Sequence, residues 1–450
     1  MTTESYLRAA RPHAYALPIQ APGEVSPRVK FSVNMHATSR PPRRAALALA
    51  LALALALALP RAATPLGINL GNVLEAPTEG AWAPIAQEYY FDDYASRGFT
   101  FVRVPVRWDQ HMGKAAPFAI DAAFLARVHE VAGWGLARNM SVLINSHHDD
   151  WIDVADDGAF QAALPRFLAL WTQVAASFAD APTNQLFFEV FNEFHIISLA
   201  NMNGLYAQVV PLMRAKNAAR PIYLGGLSWM SPVWIAQNPD AVAWPPLADG
   251  SRDANLRLEV HSYDPYTFCL EDPPTAKTWG TPADVAAELA LYTNMSAWSA
   301  AHFGRSVLMG EAGCQVVAPS RADRLTWYAT IAAAAKSSFA AFDPPLSIWD
   351  DDGNWKIYDR SARTWDEGVM AALGFRAWCS VPVRHCADAF GLVVEHWQVR
   401  RSRVEILPCA CLPPLTPPRP PCPLPCPQQP SCTARAGSWC ILVTRAPVPA

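Results

Sequence analysis

Short apolar runs alternate with longer amphipathic segments through the middle of the chain, between residues 66 and 351. The apolar runs are rich in Val, Ile, Leu and Phe and are bounded by turn residues, which is typical of buried strands. The runs that predict strands are LGINL (66–70), FTFVRVPV (99–106), MSVLINSH (140–147), LFFEVFNE (186–193), PIYLGGL (221–227), LRLEVHSY (256–263), SVLMGEAG (306–313) and PLSIWDD (345–351).

The segments between these runs have apolar residues near 3.6-residue spacing, which predicts amphipathic helices. The clearest are AAFLARVHEVAGWGLAR (122–138), FLALWTQVAASFA (167–179), AAELALYTNMSAWSAA (286–301) and RLTWYATIAAAAKSSFA (324–340). Strict alternation favours an α/β architecture of parallel strands joined by crossover helices. Eight units in about 310 residues match the size of a closed (β/α)8 TIM barrel. An open doubly wound sheet is the alternative, but no Gly-rich phosphate loop follows the first strand.

Polar and ionisable residues stand at the C-terminal end of nearly every predicted strand. In a (β/α)8 barrel these ends meet on one face, which carries the active site. The residues at these ends are Asn72, Glu75, Arg103, Arg107, Asn145, His147, His148, Asn192, Glu193, His261, Tyr263, Glu311 and Trp349. Single members of this set suit loop caps or solvated strand ends, but together they predict a functional site.

Strand periodicity selects among these residues, because successive side chains of a strand face opposite ways. Glu189 and Glu193 therefore share a face. On the third strand Asn145 and His147 share a face, and His148 points the other way. His147 is the better candidate of the two histidines, although twist at the strand end keeps His148 within reach. Glu189 lies inside an apolar run, so we expect a buried structural carboxylate paired with an inward Arg.

Composition excludes some classes of function. Hydrophobic residues make up 51% of the 450 residues, which is ample for a core. The formal net charge is −3 and there is no basic stripe, so nothing favours nucleic acid as a partner. The 17 Trp residues suit a protein that stacks rings on flat apolar ligands. Six of them fall near strand ends or in top loops, namely Trp82, Trp151, Trp229, Trp234, Trp279 and Trp349. We expect about half of these six to serve ordinary packing.

The N-terminal region has the order of a secretory leader. Residues 36–44 (HATSRPPRR) are basic, residues 45–59 are an Ala/Leu run, and PRAA follows, like the three zones of a signal peptide. The apolar run is shorter than the about 20 residues of a membrane span, so stable membrane insertion is not expected. Because the run begins late and Met35 precedes it, we interpret 1–34 as a doubtful upstream extension and 35–63 as the signal peptide of a secreted, extracellular protein. A membrane anchor and a low-complexity artefact are the alternatives.

Residues 377–450 differ in composition from the barrel region, residues 64–376. The stretch CLPPLTPPRPPCPLPCPQQPSC (411–432) is Pro-saturated, which excludes helix and inner strand and predicts a disordered tail. Eight of the 10 Cys lie from Cys379 onward, in a spacing that fits no zinc site. The other two, Cys269 and Cys314, suit a disulfide in an exported protein, but the sequence does not establish one.

Seven segments together resemble the glycoside hydrolase family 5 cellulases, over about residues 66–374. They follow one another in the family's order and are GINLGNVLEAPTEGAW, FVRVPVRW, INSHH, FFEVFNE, HSYDPY, MGEAG and IWDDDG. The resemblance implies a retaining endo-β-1,4-glucanase with Glu193 as the acid/base and Glu311 as the nucleophile. It places Asn192 near the sugar 2-hydroxyl and Trp349 as a stacking platform. One departure is Phe194, where the family usually has Pro, so the loop after the fourth strand is expected to sit differently.

The chemistry of glycoside cleavage with retention requires these residue types. One carboxyl protonates the leaving oxygen, and a second carboxylate attacks the sugar from about 5–5.5 Å away. The acid needs a raised pKa, and the nucleophile must stay ionised. We expect Arg103 and Tyr263 to favour ionised Glu311, whose charge in turn keeps Glu193 protonated. The further substrate-binding candidates are Asn72, Glu75, His147, His148, His261, Trp279 and Trp349.

Several alternatives remain beside this interpretation. A catalytic metal would use ligands from the set His111, His147, His148, Asp149 and Asp150, but no HExxH spacing occurs, and we expect neither metal nor cofactor. A calcium loop at DDDG (350–353) fails because its twelfth position is Ser361. A non-catalytic carbohydrate-binding barrel gains nothing from two desolvated carboxylates. Glucan is the expected polysaccharide partner of a monomeric enzyme. Mannan and other β-glucans are the alternatives, because epimers differ by few contacts.

Overall fold

The computed structural model describes residues 66–375, which form a closed barrel of eight parallel strands. The strands are β1 (Leu66–Asn69), β2 (Phe101–Val104), β3 (Ser141–Asn145), β4 (Leu186–Glu189), β5 (Ile222–Leu224), β6 (Leu256–Ser262), β7 (Val307–Ala312) and β8 (Leu346–Ile348). Pairing of β1 with β8 closes the barrel. The predicted (β/α)8 fold is confirmed, and each strand lies inside the apolar run that predicted it.

Helices follow each strand and cover the outside of the barrel. They are α1 (Glu88–Arg97), α2 (Ala122–Ala137), α3 (Asp157–Ser177), α4 (Leu199–Arg214), α5 (Pro232–Gln237), α6 (Tyr266–Cys269), α7 (Pro282–Ala301), α8 (Arg321–Ser338) and α9 (Glu367–Ala372). A short antiparallel pair, β9 (Tyr358–Asp359) and β10 (Thr364–Trp365), lies between β8 and α9. Side-chain caps define several helix starts: Asp121 accepts from the Phe124 N–H, and Thr281 forms a capping box with Asp284.

The barrel interior is layered. Its lower layer is an apolar cluster of Phe101, Leu143, Phe187, Tyr223 and Leu308. Two residues further along three of these strands, toward their C-terminal ends, stand Arg103, Asn145 and Glu189, all fully buried. Side chains two apart on a strand share a face, so these polar residues also point into the barrel. They form a polar layer on top of the apolar cluster, and the C-terminal strand ends lie above that layer.

Two strands depart from regular geometry where they approach this face. β4 ends at Glu189, and Glu193 takes its direction from a left-handed backbone with φ 63° rather than from strand alternation. Between β6 and β7 the register shifts, so that His261 pairs with Glu311. Such a bulge re-aims the side chain that follows it, and regular alternation from the inward Leu308 would have turned Glu311 outward.

Several predicted features lie outside the described residues: the upstream extension (1–34), the leader (35–63) and the whole tail (377–450) with its eight Cys. Within residues 66–375, Cys269 and Cys314 form a disulfide between the end of α6 and the chain just after β7. No helix in this range is both long enough and apolar enough to cross a membrane.

Candidate active site

Arg103 organises the floor of the C-terminal face. Its buried guanidinium donates to both oxygens of Glu189, at 2.7 and 2.9 Å. It also donates to Glu311 Oε1 at 2.6 Å and to the side-chain oxygens of Asn69 and Asn192 at 3.1 and 2.7 Å. The expected pairing of buried Glu189 with an inward Arg is confirmed. The bond to Asn192 takes up the amide oxygen, which leaves the NH2 end of that amide as a donor.

Glu311 is held as a carboxylate from two sides. Its Oε1 accepts from Arg103, and its Oε2 accepts from the Tyr263 hydroxyl at 2.8 Å. Burial raises the pKa of Glu311, whereas the Arg103 charge and the Tyr263 hydrogen bond oppose that rise. The contacts therefore favour the ionised form that a nucleophile needs.

Glu193 lies opposite Glu311 and has a different environment. Its Oε1 lies 2.9 Å from His261 Nδ1. Burial, and then the negative charge of Glu311, raise the pKa of Glu193 well above the ordinary range of a carboxyl. Carboxyl oxygens of Glu193 and Glu311 and a ring nitrogen of His261 all lie within 4.8 Å of one another. The pair thus combines one stabilised carboxylate with one carboxyl that favours its proton.

The loop that carries Glu193 is anchored by a buried carboxylate that sequence reasoning did not single out. Asp153 accepts from the backbone N–H groups of three consecutive residues, His195, Ile196 and Ile197, at 2.8–3.2 Å. Phe194 is buried and stacks on Phe191 with ring centroids 4.0 Å apart. These contacts fix the loop although Phe stands where the resemblance expects Pro.

His147, His148 and Trp349 form one wall of the site. The His147 ring lies 6.1 Å from the Trp349 ring and nearly parallel to it, and its Nδ1 is 3.1 Å from the Asn145 amide nitrogen. His148, at φ 53°, contacts the ring of Trp82 edge-on at 5.7 Å. Burial lowers the pKa of both histidines, that of His148 to about 4, so both are neutral near pH 7. Neutral rings can accept and donate hydrogen bonds to sugar hydroxyls.

Asn72 and Glu75 shape the loop after β1. Glu75 is fully buried and accepts from the backbone N–H groups of Asn72 and Val73. Burial raises the pKa of Glu75 to about 7. Asn72, with φ 64°, donates its side-chain amide to the Asp351 backbone and carboxylate, each at 3.3 Å. Glu75 therefore supports the loop from beneath, whereas half-buried Asn72 lies nearer the surface.

The candidate tryptophans separate into surface and core positions. Trp82 is 44% exposed, beside His148. Trp279, which we expected to bind substrate, is only 5% exposed and packs in the hydrophobic core, so its ring offers little area to a sugar. Its position after the polar segment EDPPTAKT (271–278) gave no sign of burial. Trp355, which we did not predict, meets the Tyr263 ring edge-on at 6.0 Å.

The metal ligands considered from the sequence have other partners. Asp149 accepts from the N–H groups of Trp108 and Asp109, and His111 stacks on Phe124 at 3.6 Å. In the part of the chain that the structure describes, the groups of possible ligands are instead Glu189–Glu259–His261 and Glu193–His261–Glu311. Asp350 and Asp351, in the DDDG segment, accept backbone N–H groups of their own loop.

Comparison with known proteins gives a consistent picture. The family model for Cellulase (glycosyl hydrolase family 5) matches residues 67–343. Endoglucanase H of Acetivibrio thermocellus is 35% identical over 323 residues, which are 68% of this chain and 32% of that protein. Cellulase/esterase CelE of the same organism is 33% identical over 268 residues, 55% of this chain and 31% of that protein. The chain therefore spans less than two thirds of these relatives.

Solved structures of Thermotoga maritima Cel5A, one in complex with cellobiose and one with mannotriose, each have a TM-score of 0.62 to this chain. The identities are 26% and 27%, and the matches cover 69% of this chain and 97% of the solved chain.

Proposed function

The chain belongs to glycosyl hydrolase family 5, and we propose that it is a retaining endo-β-1,4-glucanase in which Glu193 is the acid/base and Glu311 the nucleophile. The observation that carries this proposal is the approach of the two carboxyls, since one oxygen of Glu193 lies within 4.8 Å of one oxygen of Glu311. Retaining enzymes hold their carboxyls about 5–5.5 Å apart, whereas inverting enzymes leave about 6.5–9.5 Å for a water molecule. The spacing supports direct attack by Glu311 on the sugar.

The first step transfers the sugar to the enzyme. Glu311 attacks the anomeric carbon and Glu193 gives its proton to the leaving oxygen, so that a glycosyl ester forms as the glycosidic bond breaks. In the second step Glu193, now ionised, takes a proton from water, and the water oxygen displaces Glu311. Two inversions restore the original anomeric configuration. Arg103 and Tyr263 stabilise Glu311 each time it leaves as a carboxylate.

Neighbouring groups support sugar binding. The Asn192 amide, oriented by Arg103, presents its NH2 group as a donor to a sugar hydroxyl. Exposed Trp82 lies beside His148, where its aromatic face can stack on a sugar ring. Trp349 lies on the other side of the histidine pair and is 9% exposed, so a smaller part of its ring is open to a sugar. Other large apolar side chains in the loops after β1, β4 and β7 are also exposed, namely Ile85, Ile196, Val316 and Val317. An open apolar rim suits a long polysaccharide better than a short glycoside.

We favour glucan because the relatives described above are named endoglucanase and cellulase. Mannan is the second candidate, because a solved neighbour is described in complex with mannotriose. We also propose that the protein is exported by the leader at residues 35–63, on the strength of the order of charged, apolar and small residues.

A reducing-sugar assay on carboxymethylcellulose, mixed-linkage β-glucan and mannan tests the proposal. We expect hydrolysis of the first two, with a rapid fall in viscosity that marks internal cleavage. Faster release from mannan would reassign the substrate. Binding without hydrolysis of any of the three would instead identify a non-catalytic barrel.

A further inference from the structure

Glu259 is a fully buried carboxyl that the proposed reaction does not use. It stands on β6, two residues before His261, and is 0% exposed. Neither of its oxygens makes a hydrogen bond of good geometry among the described residues. Gly310 makes room for it, because a Cβ at that position would lie only 1.7 Å from Glu259 Oε1. A carboxyl buried this deeply beneath the proposed catalytic pair must either be protonated or be paired with a cation.

The surroundings of Glu259 favour its neutral form. Arg103 Nε lies 3.2 Å from Glu259 Oε1, but the same guanidinium already pairs with Glu189 and Glu311. Three buried carboxylates around one cation leave excess negative charge in a low dielectric, which a proton removes. Burial, the Glu189 charge and a hydrogen-bonding contact with the Glu189 carboxylate raise the pKa of Glu259 well above its ordinary range. The other ionisable groups facing it are His261 and two buried tyrosines, Tyr206 and Tyr223.

His261 connects Glu259 to the acid/base. Its Nδ1 lies 2.9 Å from Glu193 Oε1, and its Nε2 lies 3.5 Å from Glu259 Oε1. Nε2 is buried and, among the described residues, has no hydrogen bond of good geometry. Burial lowers the pKa of His261 well below its ordinary value, so the ring is neutral and carries one N–H. One of its nitrogens must therefore donate and the other accept.

We propose that Glu259 is a neutral carboxylic acid whose O–H donates a hydrogen bond to His261 Nε2 and thereby fixes the ring as the Nδ1–H tautomer, a permanent donor to Glu193 Oε1. This inference rests on the proposed role of Glu193. In this arrangement Oε1 accepts a hydrogen bond both when Glu193 is protonated and when it is ionised. The labile proton of Glu193 then resides on Oε2, the oxygen free to face the leaving group. Glu259 touches no reacting atom and is a positioning residue.

The alternative tautomer, with the proton on Nε2, is unfavourable in both halves of the reaction. With the proton on Nε2, the lone pair of Nδ1 would face ionised Glu193 in the glycosyl-enzyme, and two acceptors would meet at 2.9 Å. In the other half, Nδ1 would draw the Glu193 proton onto Oε1, away from the leaving oxygen. Only the Nδ1–H form serves both steps without moving a proton through the ring.

The experiment compares Glu259→Gln, Glu259→Leu and the control Glu288→Gln, which alters a buried carboxyl on α7 outside the site. The Gln amide keeps a donor for Nε2, whereas Leu removes it. For Glu259→Leu we expect kcat/KM on a cellobioside with a poor leaving group to fall about tenfold, because acid catalysis is impaired. On dinitrophenyl cellobioside, which needs no acid, the loss should stay below about threefold. Glu259→Gln and Glu288→Gln should keep both values within about threefold of wild type.

Equal losses on both substrates in Glu259→Leu, or a Gln variant as impaired as the Leu variant, would overturn the proposal. Nitrogen-15 NMR of the His261 ring, assigned by its absence in His261→Asn, gives a readout independent of activity. A protonated Nδ1 in wild type and Glu259→Gln is expected, and a protonated Nε2 would refute the idea. Glu193→Ala is the reference: if it shows no selective loss on poor leaving groups, the acid/base assignment fails. If Glu193→Ala shows this selective loss but Glu259→Leu does not, the acid/base assignment stands and only the role proposed for Glu259 fails.

Discussion

The Tyr263 hydroxyl donates to Glu311 Oε2 at 2.8 Å. This bond favours the ionised form of Glu311, and it lowers a pKa that burial raises. The proposed mechanism requires Glu311 ionised and Glu193 protonated, so we expect kcat/KM to fall in acid as Glu311 gains a proton and in alkali as Glu193 loses one. The pH profile therefore has an acid limb and an alkaline limb. Because the two carboxyls interact, the apparent pKa of each limb belongs to the pair rather than to either residue alone.

Replacing Tyr263 with Phe should therefore move the acid limb of the pH profile to higher pH. Loss of one hydrogen bond to a charged group corresponds to a shift of about one pH unit. The measurement is kcat/KM against pH, with Tyr94→Phe as a control at a buried hydroxyl on α1. An acid limb that stays in place, or moves to lower pH, would show that Tyr263 does not stabilise the carboxylate.

Arg103 neutralises the polar layer of the barrel, and Arg103→Met should be strongly destabilising. The change leaves the buried carboxyls of Glu189, Glu259 and Glu311 without their shared cation. Breaking a buried pair in this way costs about 3–5 kcal/mol of unfolding free energy. The deficit should shrink as pH falls, because protonation removes the uncompensated charge.

Urea denaturation at two pH values measures this effect. The control is Arg363→Met, whose half-exposed pair with Asp93 should contribute no more than about 1 kcal/mol. Similar losses in the two variants would contradict the special role of the buried Arg103.

Trp82 and Trp279 provide a test of surface against core aromatics. Trp82→Ala should raise KM for polymeric glucan about 2- to 10-fold, the equivalent of one lost stacking contact, with little change in melting temperature. Trp279→Ala should lower stability by about 3–5 kcal/mol through a core cavity, with KM of the folded enzyme unchanged. A raised KM in Trp279→Ala, with KM unchanged in Trp82→Ala, would show that Trp279 binds substrate after all.

The Cys269–Cys314 disulfide joins the end of α6 to the chain just after the strand that carries Glu311, across a sequence separation of 45. The double replacement Cys269→Ala/Cys314→Ala should lower the free energy of unfolding by about 2–4 kcal/mol, because the unfolded chain is no longer cross-linked. Thermal melting of wild type and variant, each with and without a reductant, checks this. A variant as stable as the oxidised wild type would show that the bridge adds nothing.

Much of the fold follows from periodicity, because a buried parallel strand such as Leu256–Ser262 must be nearly all apolar and a covering helix must be amphipathic. The candidate site followed from placing polar residues at strand ends, and the position of Glu189 inside an apolar run correctly indicated a buried carboxyl paired with an Arg. Strand ends were less predictable. β4 stops at Glu189 rather than 193, since a left-handed residue, not strand pairing, directs Glu193.

Other features depend on tertiary contacts that spacing does not encode. The register shift that turns Glu311 toward His261 arises between β6 and β7, and one sequence gives no sign of it. Trp279 was misplaced because an aromatic near a loop can pack inward as readily as outward. The burial of Glu259 beneath Glu193 and Glu311 depends on Gly310, which leaves room for it on the neighbouring strand, and the spacing of the sequence does not show this contact.

The stereochemical course of hydrolysis distinguishes a covalent intermediate on Glu311 from direct attack by water. Proton NMR of cello-oligosaccharide cleavage should show the β-anomer first, with the α-anomer appearing later by mutarotation, because Glu311 forms a covalent intermediate. In Glu311→Ala, azide should restore activity and give the α-glycosyl azide; in Glu193→Ala with an activated substrate it should give the β-azide. First appearance of the α-anomer in the wild type, or full activity of either variant without azide, would contradict the assignment of these two carboxyls.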